Sequence, residues 1–343
     1  MTYSQAVLSG DRLALSRLLT QVENDAPEGR AALIELFPYT GKAHLIGVTG
    51  APGTGKSSLV NQLALHYRKT GNKRVAIVAV DPSSPFTGGA VLGDRVRMRD
   101  LSGDTGVFIR SMATRGSLGG LAQSTANMVQ VFDAAGFDVI IIETVGAGQS
   151  EVDVARLAHT TLVVEAPGLG DDIQAIKAGI LEIADILVVN KADRPGVENT
   201  EKALKSMLDL AHPTERIFQH HGSSMRIPFD QTQGKPAPKQ DSSSAPLWIP
   251  PILRTVSIEG KGIVELAEAI ARHAAYLTHS GDWTVRERAR LEVELDALIR
   301  EELVSRFRQD VPQNQYENVL EKIIQRELSP GEAVKLLMNG RLK

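Results

Sequence analysis

The sequence contains no cysteine among its 343 residues. This absence excludes disulfide bonds, thiolate metal sites and cysteine nucleophiles, and a reducing cytoplasm is the expected location. No apolar run approaches the roughly 18 residues that a membrane-spanning helix requires, so no membrane partner is expected. The N-terminus also lacks the basic and then apolar pattern of a secretory signal.

A strong charge of either sign is missing as well. The formal net charge is −3, which gives no electrostatic footprint for nucleic acid or for an anionic membrane, so no nucleic-acid partner is expected. The hydrophobic and charged fractions, 42% and 23%, are those of a soluble globular protein. The length suits about two domains, or one large domain with appendages.

One glycine-rich stretch carries a specific chemical pattern. Residues 50–57 read G-A-P-G-T-G-K-S and fit G-x-x-x-x-G-K-[ST], between an apolar run and a helical pattern. Glycines let backbone N–H groups wrap an anion, and the next helix adds the positive end of its dipole. Lys56 is expected to reach the β- and γ-phosphates, and the Ser57 hydroxyl to ligate Mg²⁺. The predicted triphosphate-binding residues are Gly50, Ala51, Pro52, Gly53, Thr54, Gly55, Lys56, Ser57 and Ser58.

Apolar, β-branched runs alternate with helical patterns from residue 44 onward. This alternation predicts an α/β fold with a mostly parallel sheet covered by helices on both faces, plus N-terminal and C-terminal helical extensions. Ligands of such sheets bind beyond the carboxyl ends of the strands. The predicted strands are 45–49, 75–80, 107–111, 139–142, 161–165, 186–189 and 252–257, and the predicted helices between them are 58–70, 118–135, 172–183 and 198–210.

Carboxylates follow two of these predicted strands. Asp81 ends the second strand and Asp94 follows in a glycine-rich segment, and either side chain can enter a Mg²⁺ shell or orient water. A turn-former before a proline and a solvated loop residue are the alternatives for these two positions. Glu143 ends the fourth strand and begins E-T-V-G, which is similar to the D-x-x-G switch. The glycine of that switch, here Gly146, can pivot to meet a γ-phosphate.

The sixth predicted strand leads into N-K-A-D at residues 190–193, which fits the guanine-reading pattern N-K-x-D. The Asp193 carboxylate can accept hydrogen bonds from guanine N1–H and N2–H₂ together, and adenine offers neither donor there. Lys191 is expected along the base and Asn190 is expected to brace the loop. Ser257, at the end of the last predicted strand, stands where a loop would touch guanine O6. The predicted ligand is GTP, or GDP after hydrolysis.

Longer blocks of the sequence resemble a known family. They are V-A-V-D-P-S-S-P at 78–85, T-G-G and L-G-D-R within 87–95, E-T-V-G and G-Q-S-E within 143–151, and P-G and G-D-D-I-Q-A-I-K-A-G within 167–179. Together they resemble the MeaB/ArgK-type GTPases, which are SIMIBI-class P-loop GTPases. The resemblance reaches from Gly10 to Ala333 and covers nearly the whole chain. Ala147 departs from it, since the family usually has valine there.

The resemblance implies a function. Its GTPases are chaperones of methylmalonyl-CoA mutase and of related adenosylcobalamin-dependent acyl-CoA mutases. The expected activity is therefore GTP hydrolysis that is coupled to cofactor loading, protection or reactivation of such a mutase. Hydrolysis by the chain alone is expected to be slow, because no arginine finger is identifiable in the sequence.

The resemblance also implies roles for individual residues. The implied Mg²⁺ and water site is formed by Ser57, Asp81, Asp94 and Glu143, and the catalytic set is Lys56, Asp81, Asp94, Glu143 and Gly146. Segments 81–99 and 143–154 are the first and second implied switches. A third, 167–177, relays nucleotide state to the mutase, and its signalling residues are Gly168, Gly170, Asp171, Asp172, Gln174 and Lys177. An ordinary helix start capped by one of these aspartates is compatible with that role.

A homodimer through C-terminal helices is implied too. An apolar stripe flanked by charges predicts one long helix that packs on a neighbour, and packing on the chain's own terminal helices is the alternative. The stripe is Leu291, Leu295, Leu298, Ile299, Leu303 and Phe307. The expected domains are an N-terminal helical extension (1–41), a P-loop GTPase domain (42–282) and a C-terminal helical dimerisation region (283–343). Within the second, the polar stretch 212–247 is predicted to be a flexible insertion.

Two other functions fit parts of the pattern. A SIMIBI-type GTPase metallochaperone for another metalloenzyme would need Cys- or His-rich metal-binding segments, and the sequence has none of these. A P-loop kinase or transport ATPase conflicts with the guanine-reading pattern at 190–193. The mutase chaperone is therefore the favoured function.

Overall fold

A computed structural model describes residues 2–81, 98–101, 103–113, 120–144, 150–168, 183–211, 216–220, 223–227 and 247–338. The chain divides into two compact units, Met1–Arg290 and Leu291–Lys343.

The first unit opens with short helices. These are α1 (Tyr3–Leu8), α2 (Arg12–Glu23) and α3 (Pro27–Leu36), followed by a 3₁₀ turn at Phe37–Tyr39. Apolar residues at helical spacing predict one helical segment over 4–22, but the structure has two helices there, because Gly10 adopts a φ of 88° and Asp11 caps a new helix. The Asp11 carboxylate accepts hydrogen bonds from two N–H groups of the first turn of α2, at 2.8 and 3.0 Å. Such a cap contributes about 1 kcal/mol.

A parallel sheet forms the centre of the first unit. Its strands are β1 (His44–Thr49), β2 (Val75–Asp81), β3 (Val107–Ala113), β4 (Val139–Thr144), β5 (Thr160–Glu165), β6 (Ile186–Val189) and β9 (Ile252–Arg254). They lie in the order β3-β2-β4-β1-β5-β6-β9, and all neighbours are parallel. β1 lies between β4 and β5, so the loop after β1 emerges at the middle of the carboxyl edge. Ligands of parallel sheets bind at that edge.

Helices cover both faces of this sheet. They are α4 (Lys56–Gly71), α5 (Gly120–Ala134), α6 (Ser150–Leu157), α7 (Val197–Ala211) and α8 (Ile263–Ser280). α5 and the N-terminal helices pack on one face around Phe132, whereas α4 and α8 pack on the other around Leu63 and Leu266. α7 covers β6 through Leu204 and Leu208. The predicted α/β fold with terminal helical extensions is confirmed, while the helix predicted over 172–183 lies outside the described residues.

One expectation in the last third of the first unit needs correction. The last strand does not continue to Ser257: β9 ends at Arg254, and Ser257–Glu259 form a 3₁₀ turn that ends at Gly260 with a φ of 71°. The stretch 212–247 also contains regular structure. Its described residues form an antiparallel pair, β7 (Arg216–His220) and β8 (Ser223–Ile227), which its polar composition did not indicate.

The C-terminal helices are α9 (Asp282–Asp310), α10 (Gln313–Ile324) and α11 (Pro330–Met338). In the second unit, Val311, Val319, Ala333 and Leu337 form a small core against which Phe307 packs. The preceding part of the α9 stripe stays outside this core, and its side chains are 37–58% exposed. Nowhere in the described ranges is there a helix with the length and hydropathy needed to cross a membrane.

A polar cluster lies at the amino ends of the central strands, opposite the carboxyl edge. His44 begins β1, and its Nε2 lies 2.8 Å from Thr160 Oγ1 at the start of β5. The same hydroxyl lies 2.9 Å from Nδ1 of His273 on α8. Burial, and then the neighbouring rings of His159 and His273, lower the pKa of His44 to about 3. His44 is therefore neutral in the folded protein near neutral pH.

This lowered pKa predicts that acid destabilises the fold. Between pH 6.5 and about 3 the unfolded chain takes up a proton at His44 that the folded chain does not, so stability falls as the pH falls. Because of His44, the free energy of unfolding is expected to be about 1–2 kcal/mol lower at pH 5 than at pH 7. Denaturant unfolding of the wild type and of His44→Gln at both pH values measures this difference in unfolding free energy. Most of the difference should be absent in His44→Gln. The exposed His279→Gln is the control, and an equal pH dependence in both variants would contradict the prediction.

Candidate nucleotide site

The loop that connects β1 to α4 is shaped by three glycines with positive φ. Gly50, Gly53 and Gly55 have φ values of 138°, 82° and 92°, a region that L side chains rarely adopt. A Cβ at Gly50 would lie 2.1 Å from the carbonyl oxygen of Val164 on β5. The loop is therefore packed against the neighbouring strand as closely as backbone allows, and only glycine fits at Gly50.

Lys56 is the first residue of α4, and its side chain turns back into the loop. Its Nζ donates hydrogen bonds to the carbonyl oxygens of Gly50 and Ala51, at 2.6 and 3.0 Å, and the residue is only 6% exposed. The Thr54 hydroxyl also donates to the Ala51 carbonyl, at 2.9 Å. A buried ammonium group at a helix N-terminus, surrounded by loop backbone, is suited to binding phosphate oxygens.

Ser57 and Glu143 bring two oxygen donors together beside this loop. The Ser57 hydroxyl donates to Glu143 Oε1 at 2.5 Å, and the Glu143 side chain is almost fully buried. Glu143 reaches this place because Val48 of β1 and Ala79 of β2 are its register partners in the sheet. A hydroxyl and a carboxylate are the hard oxygen ligands that Mg²⁺ binds, so this donor pair fits the predicted metal.

The other predicted metal and switch residues are less fully described. Asp81 is the last residue of β2, beside β4 in the sheet, so its backbone lies at the same edge as Glu143. Its side chain lies outside what the structure describes. Gly168 follows β5 with a φ of 87°. Also outside the described residues are Asp94, Gly146, Gly170, Asp171, Asp172, Gln174 and Lys177.

Asn190 connects the phosphate loop to the loop after β9. Its Nδ2 donates to the Thr54 carbonyl at 2.8 Å. Its Oδ1 accepts from the Thr255 hydroxyl at 3.0 Å, and from the N–H and hydroxyl of Ser257 at 3.1 and 2.7 Å. A Cβ at Gly55 would lie 2.5 Å from Asn190 Nδ2, so this glycine is required for the contact. The structure thus brings the three sequence-predicted loops together around one amide.

Lys191 and Asp193 lie on the turn that follows. Lys191 adopts a left-handed φ of 56°, and its Nζ donates to the Gly53 carbonyl at 2.5 Å. Ala192 N–H donates to the Thr255 carbonyl at 3.0 Å, which holds the turn against the loop after β9. Asp193 is exposed at the end of this turn. Its carboxylate is accessible to a base that lies along Lys191.

Sequence reasoning placed Ser257 differently and missed two residues. Both polar groups of Ser257 contact Asn190, so the described role of its hydroxyl is to position that amide. Thr255 shares this role, but one hydroxyl before a turn carries no distinctive sequence signal. Glu165 ends β5 and is only 3% exposed. A lone acidic residue at the end of an apolar run is the sequence signal that marks such a position.

Comparison with known proteins identifies the family. The model of the family described as methylmalonyl Co-A mutase-associated GTPase MeaB matches residues 15–311. The chain belongs to the MeaB family. As a MeaB-family protein it is a GTPase, so the resemblance and the GTP hydrolysis predicted from its motifs are confirmed.

Relatives of this MeaB-family chain are found in archaea and in animals. A protein of Pyrococcus horikoshii, named for an inferred GTPase activity, is 42% identical over 96% of this chain and 94% of its own length. The mouse methylmalonic aciduria type A homolog, a mitochondrial protein, is 31% identical over 86% of this chain and 65% of its own. A crystal structure described as a LAO/AO transport system kinase superposes with a TM-score of 0.65 at 27% identity, over 98% of this chain and 95% of the other.

The exposed position of Asp193 predicts a change of base preference. In Asp193→Asn the carboxylate that would accept from guanine N1–H and N2–H₂ becomes an amide that can donate to the C2 carbonyl of xanthine. We expect GTP affinity to fall roughly 100-fold, since the hydrogen bond from guanine N2–H₂ is lost and the one from N1–H no longer has a charged acceptor, and XTP affinity to rise. Calorimetric titration with both nucleotides measures this. The control is Asp209→Asn on the exposed face of α7, and unchanged selectivity for GTP in Asp193→Asn would contradict the base-reading role.

Proposed function

We propose that this GTPase is a chaperone of an adenosylcobalamin-dependent acyl-CoA mutase, methylmalonyl-CoA mutase or a close relative. In this proposal GTP binding and hydrolysis are coupled to cofactor loading, protection or reactivation of the mutase. The observation that carries it is the match of the mutase-associated GTPase family over residues 15–311. The relation to the mouse methylmalonic aciduria type A homolog supports the same direction.

Mg²⁺ is the proposed metal of the nucleotide site. When bound, Mg²⁺ neutralises charge on the β- and γ-phosphates. Ser57 and Glu143 supply a hydroxyl and a carboxylate within 2.5 Å of each other, and Asp81 and Asp94 are the further proposed ligands. Lys56 binds the phosphates from inside the loop. Glu143 orients water, and Gly146 supplies an N–H to the γ-phosphate.

The proposed signal to the mutase leaves from the same edge of the sheet. Segments 81–99, 143–154 and 167–177 begin at the carboxyl ends of β2, β4 and β5, or directly after them. A γ-phosphate that is held by the loop after β1 therefore lies at the root of all three segments. Contacts that form with GTP and break with GDP can bias such segments between two arrangements.

Hydrolysis by the isolated chain is proposed to be slow. The residues assigned to the site provide one buried ammonium group and several carboxylates, and P-loop GTPases of this kind often need a further cation from a partner. The mutase, or a second protomer, is the proposed source of the missing group or of its ordering.

The proposal predicts faster GTP turnover in the presence of the mutase. We expect purified methylmalonyl-CoA mutase to raise the steady-state rate roughly tenfold or more, because a group supplied in trans stabilises the charge of the transition state. Phosphate release is measured with wild type alone, with mutase, and with Lys56→Ala plus mutase. Lys56→Ala removes the phosphate-binding ammonium group and should show no stimulated rate. An unchanged wild-type rate with the methylmalonyl-, isobutyryl- and hydroxyisobutyryl-CoA mutases would refute the proposed partnership.

We also propose that the chain is a homodimer and that residues 283–343 form the dimerisation region. In the same division of the sequence, residues 1–41 would be the N-terminal extension and residues 42–282 the GTPase domain. On α9 the residues from Leu291 to Leu303 of the apolar stripe are at least 37% exposed, although leucine and isoleucine are usually buried. The small core of the second unit involves Phe307 but none of the earlier stripe residues. A second copy of the same stripe would cover this surface by coiled-coil-like packing.

A charge placed on the stripe should therefore dissociate the dimer. Leu298→Glu puts a carboxylate where the two stripes would meet, and we expect a monomer in sedimentation velocity under conditions where the wild type is a dimer. Val304→Glu is the matched control, since Leu298 and Val304 are 46% and 49% exposed. Val304 lies about 240° further round the helix, so this variant should remain a dimer. A monomeric wild type, or equal behaviour of the two variants, would contradict the proposed interface.

A further inference from the structure

The polar cluster at the amino ends of the strands lies outside the nucleotide site and also includes residues of α9. His159 and Asp185 stand immediately before β5 and β6, and they are 4% and 6% exposed. The first two turns of α9 pack onto them. None of the sequence motifs described above includes these residues, which lie at the opposite edge of the sheet from the phosphate loop.

Arg286 of α9 makes the central contact of this cluster. Its two terminal nitrogens donate to the two carboxylate oxygens of Asp185, at 2.8 and 2.7 Å. One of them also donates to the backbone carbonyl of His159 at 2.7 Å. A planar guanidinium that makes a bidentate pair fixes both distance and orientation, which a lysine cannot do. The start of α9 is thus held in one rotational setting.

Glu287 holds the next position of the helix. The Leu45 N–H donates to His159 Nδ1 at 3.1 Å, so the proton of a neutral His159 ring is on Nε2, which lies 2.6 Å from Glu287 Oε1. The ring of Trp283 stacks on His159 with centroids 3.9 Å apart. Although burial opposes it, hydrogen bonds from His159 and Arg290 lower the pKa of Glu287 to about 2. We call His159, Asp185, Arg286 and Glu287 the amino-end clamp.

The free energy of closing this clamp is expected to be small. When the start of α9 moves away, both charges regain contact with water, which offsets the loss of their pairing, and Arg286 is already 36% exposed at its side chain. An open clamp would also leave Asp185 with partners. The Thr161 N–H donates to it at 2.8 Å, and His273 Nε2 lies 3.2 Å away. Asp185 therefore keeps one hydrogen-bond donor, the Thr161 N–H, whether or not Arg286 is bound, which makes the clamp suited to switching.

Short strands connect the clamp to the nucleotide loops. β5 runs from the clamp to the segment at 167–177, and β6 runs from Asp185 to Asn190 in six residues. β1, whose Leu45 N–H binds His159, leads directly into the phosphate loop. These strands are fully buried, apart from the first residue of β1. Packed strands of this kind move as rigid elements, so a shift at one end is transmitted to the other.

From this arrangement we infer that the amino-end clamp couples the root of α9 to the nucleotide site. The nucleotide state shifts the balance between the closed and open clamp. By thermodynamic reciprocity, any load on the C-terminal helices shifts the preference of the site for GTP over GDP. The inference rests on GTP binding alone and is independent of the proposed mutase and of the proposed dimer.

Distances between spin labels test the first half of this inference. Because the sequence has no cysteine, Ala271→Cys on α8 and Ala289→Cys on α9, both at exposed positions, give a uniquely labelled pair. Pulsed electron paramagnetic resonance is recorded with GDP and with a non-hydrolysable GTP analogue. We expect two distance populations whose ratio differs between the nucleotides, and Arg286→Lys should favour the open population with both. Identical distributions with the two nucleotides would overturn the inference.

Calorimetry of the unlabelled variants tests the second half. We expect Arg286→Lys to change the ratio of GTP-analogue to GDP affinity roughly fivefold, a typical coupling between sites. Glu287→Gln removes the negative charge of the second contact without a change of size and should act in the same direction. Arg300→Lys, the same change at an exposed position of α9 beyond the clamp, should leave the ratio unchanged. Ratios equal to wild type in both clamp variants would refute the coupling, whereas loss of all GTP binding by the wild type would refute the nucleotide site itself.

Discussion

The side-chain amide of Asn190 is the contact on which the described nucleotide site depends. It binds the phosphate loop through the Thr54 carbonyl and the loop after β9 through Thr255 and Ser257. A side chain larger than hydrogen at Gly55 would collide with it. The turn at 190–193 and the loop after β1 are therefore one assembly, because an asparagine can donate on one side and accept on the other.

The sequence was sufficient to predict the fold and the proximity of the motifs. Apolar β-branched runs that alternate with helical patterns specify a parallel sheet, and parallel strands put their carboxyl ends at one edge. Lys56, Ser57, Glu143 and Asn190 therefore had to converge, and the structure describes their contacts. This prediction depended more on the position of each motif relative to its strand than on the residue types alone.

Other features have no signal in local sequence. Ser257 was expected at a strand end, but β9 stops at Arg254, where its ladder with β6 ends. The amino-end clamp joins residues more than 100 positions apart, such as Asp185 and Arg286. An isolated histidine, aspartate or arginine in a sequence does not indicate which distant residue will be its partner. The break between α1 and α2 depended on one glycine and one capping aspartate within an otherwise helical apolar pattern.

The strand order has a consequence for how the protein is made. β1 leaves the ribosome well before its partners β4 and β5, which begin at Val139 and Thr160. Contacts of such long sequence separation form slowly, because a large loop must close before they can form. β9 completes the sheet only when the chain has been synthesised past Arg254. During synthesis the nascent chain therefore carries its phosphate-loop sequence long before the loop can take shape, with open strand edges that must be kept from pairing with other chains.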